Sequence, residues 1–165
     1  MRPLTKQSQF LGLAGWLIVS FIAAAIGGAA SVQAGPFYAQ LVHPDWAPPG
    51  SVFGPVWTVL YVLMGIAAWL IWRIAGFRAA RAALTLFLVQ LALNALWSWL
   101  FFGWHRGALA FADVLVLWAF IAATLIAFSR IRPLAGALLV PYLLWVTFAS
   151  ALTYAVWQRN PQLLG

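Results

Sequence analysis

The chain has 165 residues, of which 65% are hydrophobic and only 7% charged, and it contains no cysteine. A soluble domain carries roughly a quarter charged residues, so this chain lacks the polar surface to cover a core in water and reads as an integral membrane protein. The missing cysteines exclude disulfides, thiolate metal sites and a thiol nucleophile. The net charge of +7 comes from nine basic residues against Asp45 and Asp113, in clusters too short to track a phosphate backbone, which argues against nucleic acid as a partner.

Each spanning helix needs about 20 mostly apolar residues, and short connections then leave room for about five. The first apolar run, 10–32, follows a terminus that carries Arg2 and Lys6. It is long enough to span. The small residues Ala29, Ala30 and Ser31 would also suit a cleavage site, but a retained helix is the preferred reading. A polar, proline-rich stretch at 33–50 leads to a second helix at 51–73. A basic turn with Arg73, Arg78 and Arg81 precedes a third at 82–102, and a tight turn with His105 and Arg106 precedes a fourth at 108–129. Arg130 and Arg132 hold the turn before a fifth helix at 134–158. With no linker, low-complexity tract or repeat, residues 1–165 form one domain. The expected fold class is an all-α integral membrane bundle of five transmembrane helices with a structured first loop.

Basic residues vote on orientation. Arg2, Lys6, Arg73, Arg78, Arg81, Arg130 and Arg132 fall on one side, and only Arg106 and Arg159 on the other. The expected topology has the N-terminus inside and the long first loop outside. The short charged ends and the lack of a transit peptide favour a bacterial cell membrane over a mitochondrial outer membrane.

The first loop is the most informative stretch. Pro44, Pro48, Pro49 and Pro55 fix their own φ and restrict the residue before each, so the loop loses little entropy on ordering. Tyr38, Trp46 and Phe53 give it ring faces with polar edges. It suits either an aromatic belt at the headgroups or a stiff lid over a ligand. The helices carry matching stripes. On the second, Trp57, Tyr61, Met64 and Ala68 share one face. On the third, Gln90, Asn94 and Ser98 are spaced by four, with Trp97 and Phe101 adjoining. Amides inside a bilayer need partners, so that face meets protein, water or ligand rather than lipid. On the fifth, Tyr142, Trp145, Ala149 and Leu152 share a face beside Phe148. The two readings are an apolar, ring-lined pocket and a filled core held by interhelical hydrogen bonds.

These residues carry a resemblance. Tyr38, Leu41, Pro44-x-Trp46-x-Pro48-Pro49, Phe53, Pro55, Trp57, Leu60, Tyr61 and Met64 resemble the signature of the TspO/MBR family, the tryptophan-rich sensory and translocator proteins also called peripheral-type benzodiazepine receptors. Gln90, Leu91, Asn94, Trp97, Phe101 and Phe102 fit the same family, as do Pro141, Tyr142, Trp145, Ala149 and Asn160. The resemblance implies a five-helix bundle, usually a homodimer, that binds tetrapyrroles such as protoporphyrin IX, and in many members cholesterol and benzodiazepine-type compounds. The function it implies is a membrane receptor or carrier linked to stress or to regulation of porphyrin levels. The porphyrin is a ligand, and no cofactor is required. Together with Tyr61 and Gln90 from the stripes, the implied ligand-binding residues are Tyr38, Trp46, Trp57, Asn94, Trp97, Trp145, Phe148, Ala149 and Leu152. The chain departs from the family pattern at Phe37, where tryptophan is common, and at Thr153, where asparagine is. The second departure weakens any amide tether on the fifth helix.

Other candidates compete with plainer roles. Asp113 is the only acid within a helix. It is a proton relay if the protein is a coupled porphyrin or sterol transporter, and otherwise the ion-pair partner of Arg106 two turns away. His43 and His105 lack a carboxylate at ligand spacing and make no metal site. His43 reads as a solvated residue or a ligand contact. Leu152, Tyr154 and Arg159 satisfy a loose sterol pattern, or else Tyr154, Trp157 and Arg159 anchor the helix at the interface. Small residues Ala83, Ala92 and Ala95 would allow close packing of a second copy. No nucleophile–base–acid set is visible, and there is no glutamate. The one enzymatic alternative is light- and oxygen-dependent porphyrin breakdown, which the resemblance implies for some bacterial members and which would use Trp57 and Trp145.

Overall fold

A computed structural model describes residues 5–165, and Arg2 of the basic count lies outside them. Helix α1 spans Lys6–Ala30. It begins earlier than the apolar run because Thr5 caps it, its Oγ1 accepting from the Ser8 N–H at 3.1 Å. The proline-rich stretch is not all loop. Ala34–Gln40 forms a short helix, α2, with Pro36 in the first turn, where a missing N–H leaves no bond unmade. An extended segment and a tight turn at Gly50–Val52 then lead into α3, Phe53–Ala79. Helix α3 outruns its expected end at Arg73 because Gly76 turns the chain with φ 68°, a backbone conformation open to glycine, and helix resumes through Arg78.

Helix α4 covers Arg81–Ser98 and widens into a π-helical turn at Trp99–Gly103. The Trp104 N–H donates to the Trp99 carbonyl at 2.7 Å and closes that turn. Helix α5 spans Gly107–Ile131. The fifth span is broken into α6, Pro133–Ala137, and α7, Val140–Arg159, and a terminal turn, α8, covers Pro161–Leu164. Each of the three has a proline at its first or second position, the site that tolerates a missing donor. Five helical stretches are thus long and apolar enough to cross a bilayer, and the chain is an all-helical integral membrane bundle.

In a bilayer, apolar surface drives no helix association, so packing and interhelical hydrogen bonds must hold the bundle. Helix α1 packs on α3 and α4, α4 on α5, and α5 on α7, while α3 meets the fifth span chiefly through α6. Helices α3 and α7 therefore stand apart toward the end that carries the first loop. Below that gap the core is filled: Met64, Ala67, Ala68, Ile71, Phe87, Ile121 and Phe128 are fully buried, with Phe87 and Phe128 stacked at 5.9 Å. A second cluster at the loop end gathers Leu41, Leu100, Phe101, Ala110, Leu152, Val156 and Leu164. The small residues expected at a contact with a second copy divide. Ala83 and Ala95 are buried inside this bundle, the latter against Gly27 of α1, so only Ala92 faces outward.

Candidate functional site

Where α3 and α7 stand apart there is a cavity of about 300 Å³, at the lower end of the usual range for small-molecule sites. Its walls come from α1, α2, α3, α4 and α7. Of the residues singled out in the sequence, Tyr38, Trp57, Tyr61, Asn94, Trp97, Trp145, Ala149 and Leu152 line it. Trp46, Gln90 and Phe148 do not. Trp46 is 51% exposed and lies on the outer side of the lid, edge-on to Phe148 at 5.8 Å.

Gln90 sits beneath the cavity in a hydrogen-bonded chain. The Tyr61 hydroxyl donates to Asn94 Oδ1 at 2.7 Å, Asn94 Nδ2 donates to the Tyr142 hydroxyl at 2.7 Å, and that hydroxyl donates to Gln90 Oε1 at 2.8 Å. Gln90 Nε2 ends the chain on Met64 Sδ at 3.7 Å. Two amides and two phenols from three helices thus satisfy one another. The chain forms the cavity floor, with Tyr61 and Asn94 on its upper surface.

The lid is held by polar contacts at both edges. The Asn160 side-chain amide clamps the Val42 backbone, Oδ1 accepting from its N–H at 2.8 Å and Nδ2 donating to its carbonyl at 3.0 Å. The Tyr38 hydroxyl donates to the Pro48 carbonyl at 3.2 Å, and burial raises that hydroxyl above its ordinary pKa of 10.0. Phe37 stacks on His105 at 4.1 Å and ties α2 to the turn before α5. The His43 ring lies 4.1 Å from Tyr38 with its Nε2 buried and unpartnered, so His43 is not the solvated residue expected.

Two further polar atoms are buried without a partner, Nε1 of Trp97 and Nε1 of Trp145, in rings that otherwise line the cavity. Other indoles find acceptors. Trp69 Nε1 donates to the Gln9 carbonyl at 2.9 Å, Trp99 to Ile26 at 3.1 Å, and Trp118 to the Thr147 hydroxyl at 2.8 Å. A buried donor left unmade costs about 1–3 kcal/mol, and since neither nitrogen has surface open to the cavity, a ligand acceptor would reach it only after the ring turns. The cavity is mostly apolar, with ring faces from Trp57, Trp97, Phe53, Phe101 and Trp145.

Sequence reasoning missed the wall contributed by small residues. Ala24, Gly27 and Gly28 of α1 and Ser31 just after it, together with Gly35, Gly50 and Gly54, line the cavity. The Ala- and Gly-rich end of α1 was the available signal. The expected Asp113–Arg106 pair is not made: Arg106 is exposed, and Asp113 Oδ2 is buried without a partner. Asp113 is also not on the cavity wall. The sterol pattern does not form one surface, because Leu152 lines the cavity while Tyr154 is 49% exposed and packs on Phe111 at 5.1 Å. Arg159 turns back on the Ala155 carbonyl at 3.1 Å. Among the described residues no group of three or more His, Asp or Glu side chains could hold a metal.

The sequence profile of the TspO/MBR family matches residues 15–158. The chain is 41% identical over 129 residues to the tryptophan-rich protein TspO of Chlorobaculum tepidum, covering 76% of this chain and 80% of that one. It is 40% identical over 149 residues to the tryptophan-rich sensory protein of Cereibacter sphaeroides, covering 88% and 92%. It is also 43% identical over 126 residues to the human translocator protein, covering 75% of each. A five-span bundle, a ring-lined cavity under a clamped loop and a match over most of the length agree, and the chain belongs to the TspO/MBR family of membrane proteins.

Proposed function

We propose that this protein is a membrane receptor or carrier for a flat, mostly apolar ring compound. Protoporphyrin IX or a related tetrapyrrole is the leading ligand, with sterols and benzodiazepine-type compounds as competitors for the same cavity. The observation that carries the reading is the cavity under the lid, walled by the rings of Trp57, Trp97 and Trp145 with Tyr61 and Asn94 at its floor. A macrocycle stacks on such faces, each ring pair contributing about 0.5–1.5 kcal/mol beyond area burial, and its carboxylates or carbonyls accept from the Trp97 and Trp145 indoles once those rings turn toward it.

Titration of the purified protein with protoporphyrin IX, followed by tryptophan-fluorescence quenching, tests this directly. The expected result is saturable quenching in the wild type, weakened in Trp97→Phe/Trp145→Phe. Identical, weak and nonsaturating quenching in both would overturn the reading.

A second reading is supported by Trp57, Trp97 and Trp145 lining one cavity: a bound porphyrin degraded under light and oxygen. Loss of the Soret band in illuminated wild type, but not in Trp57→Phe/Trp145→Phe, would favour it over passive binding. Coupled transport through Asp113 has less support, because that residue is off the cavity wall. Intact porphyrin uptake into liposomes by Asp113→Asn would exclude it.

A further inference from the structure

The seam between α1 and α3 is closed along most of its length and open at the lid end. The helices run antiparallel, and their close approaches keep one register. A Cβ on Gly12 would overlap the Trp72 ring, a Cβ on Gly65 would press on Leu17, and the Phe21 and Tyr61 rings lie 6.1 Å apart. Two turns further along, the same register sets Gly28 opposite Gly54. Both line the cavity, both are exposed, and a Cβ built on either meets nothing within 4 Å. Cavity-lining residues this exposed, with open space around them, mark an opening rather than a wall.

At its α1 edge the lid adds Gly35, which also lines the cavity, is exposed and would take a Cβ without contact; beyond that edge the lid is pinned. Reaching the cavity through it means breaking the two Asn160–Val42 hydrogen bonds and the Tyr38–Pro48 bond, whereas the seam has nothing to break. Gly28 and Gly54 also sit within one turn of the ends of α1 and α3, which places the opening near the headgroups of the leaflet on the lid side. Flat amphipathic rings settle at that level. Inside, the rings of Trp57, Trp97 and Trp145 line the space it enters.

Resting on the ligand-binding reading above, we propose that the gap between Gly28 and Gly54 is a lateral portal. Through it an apolar ring ligand dissolved in the bilayer passes into the cavity while the lid stays shut. The two glycines set the width of the portal, and therefore the rate at which ligand comes and goes rather than how tightly it is held.

The chain has no cysteine, so Gly54→Cys introduces a single thiol that a bulky methanethiosulfonate can block and a reductant can clear, in one folded sample. Protoporphyrin IX binding would be followed by stopped-flow quenching in phosphatidylcholine nanodiscs. Blocking is expected to slow association and dissociation by about tenfold or more, with the dissociation constant changed less than about threefold. Reductant should restore both rates, and Gly28→Phe should slow them likewise. Asn160→Ala, which loosens the lid, should leave both rates within about twofold. Unchanged rates in the blocked protein, or faster rates in Asn160→Ala with no effect of blocking, would overturn the portal. So would a block that weakens affinity through faster dissociation alone. Nonsaturating quenching in the unblocked protein would instead overturn the ligand reading, and the portal with it.

Discussion

The two halves of the bundle treat their polar groups in opposite ways. On the side away from the lid, Tyr61, Asn94, Tyr142 and Gln90 hand hydrogen bonds from one to the next across three helices, and large side chains such as Phe87 and Phe128 leave no space between them. On the lid side, the same helices enclose a cavity of about 300 Å³, and two indoles that line it keep their N–H groups buried without partners. A bilayer gives an unpaired donor no water to fall back on, so one half satisfies its polar groups and the other leaves donors unpaired. The satisfied half holds the helices at fixed rotations, and that fixes where Trp57, Trp97 and Trp145 stand in the unsatisfied one.

Substitutions that separate the halves should differ in kind as well as in size. Trp145→Ala removes a cavity wall and a donor together. It should weaken protoporphyrin IX binding by about 10- to 100-fold, roughly 1.4–2.8 kcal/mol, while the thermal midpoint moves little. A large loss of stability with unchanged affinity would place Trp145 in the structural half instead. Asn94→Leu should act the other way. It strands the Tyr61 hydroxyl and removes a donor from Tyr142, at a cost of about 2 kcal/mol in detergent unfolding. An unchanged midpoint would mean that the chain of bonds does not hold the floor. Trp97→Phe deletes an N–H with no protein partner and trims the ring that stacks on Phe101 at 5.3 Å. Stability should hold within about 0.5 kcal/mol, while affinity falls several-fold, about 1 kcal/mol.

The lid effects should be smaller still. Asn160→Ala should speed hydrogen exchange at the Val42 amide without shifting the global midpoint, since only local opening is eased. The Tyr38 hydroxyl is raised above 10.0 by burial, so the folded lid keeps a proton that the unfolded chain would release. Its contribution is therefore whole below about pH 10 and lost as pH rises beyond it. Alkaline difference spectra of wild type against Tyr38→Phe should contain one tyrosine titrating above 10.0, and titration at or below that value would contradict the packed lid.

The five spans were legible because hydropathy alone separates them, whereas their interruptions depend on backbone detail. Ala34–Gln40 reads as loop from Gly35 and Pro36, yet a proline in a first turn starts a helix as readily as it ends one. The π-helical turn at Trp99–Gly103 and the restart after Gly76 have no sequence signature of their own. In the site, helical spacing picked out Trp57, Trp97, Trp145 and Ala149, since ring-bearing stripes announce themselves. Spacing could not tell that Gln90 is used up in the floor while its neighbour Asn94 also reaches the cavity, because that depends on how α4 is turned against α3 and α7. Glycines carry no chemistry to read, so Gly28 and Gly54 emerge only once two helices lie side by side.

The division between the halves can be read from indole N–H resonances of the ¹⁵N-labelled protein, assigned by single Trp→Phe variants and recorded with and without protoporphyrin IX. Hydrogen-bond formation on filling the cavity should shift Trp97 and Trp145 Nε1–H downfield, while Trp69 and Trp118, already bonded to protein acceptors, stay where they are. If Trp97 and Trp145 do not move as ligand binds, or if all four move alike, the cavity is not the half that a ligand completes.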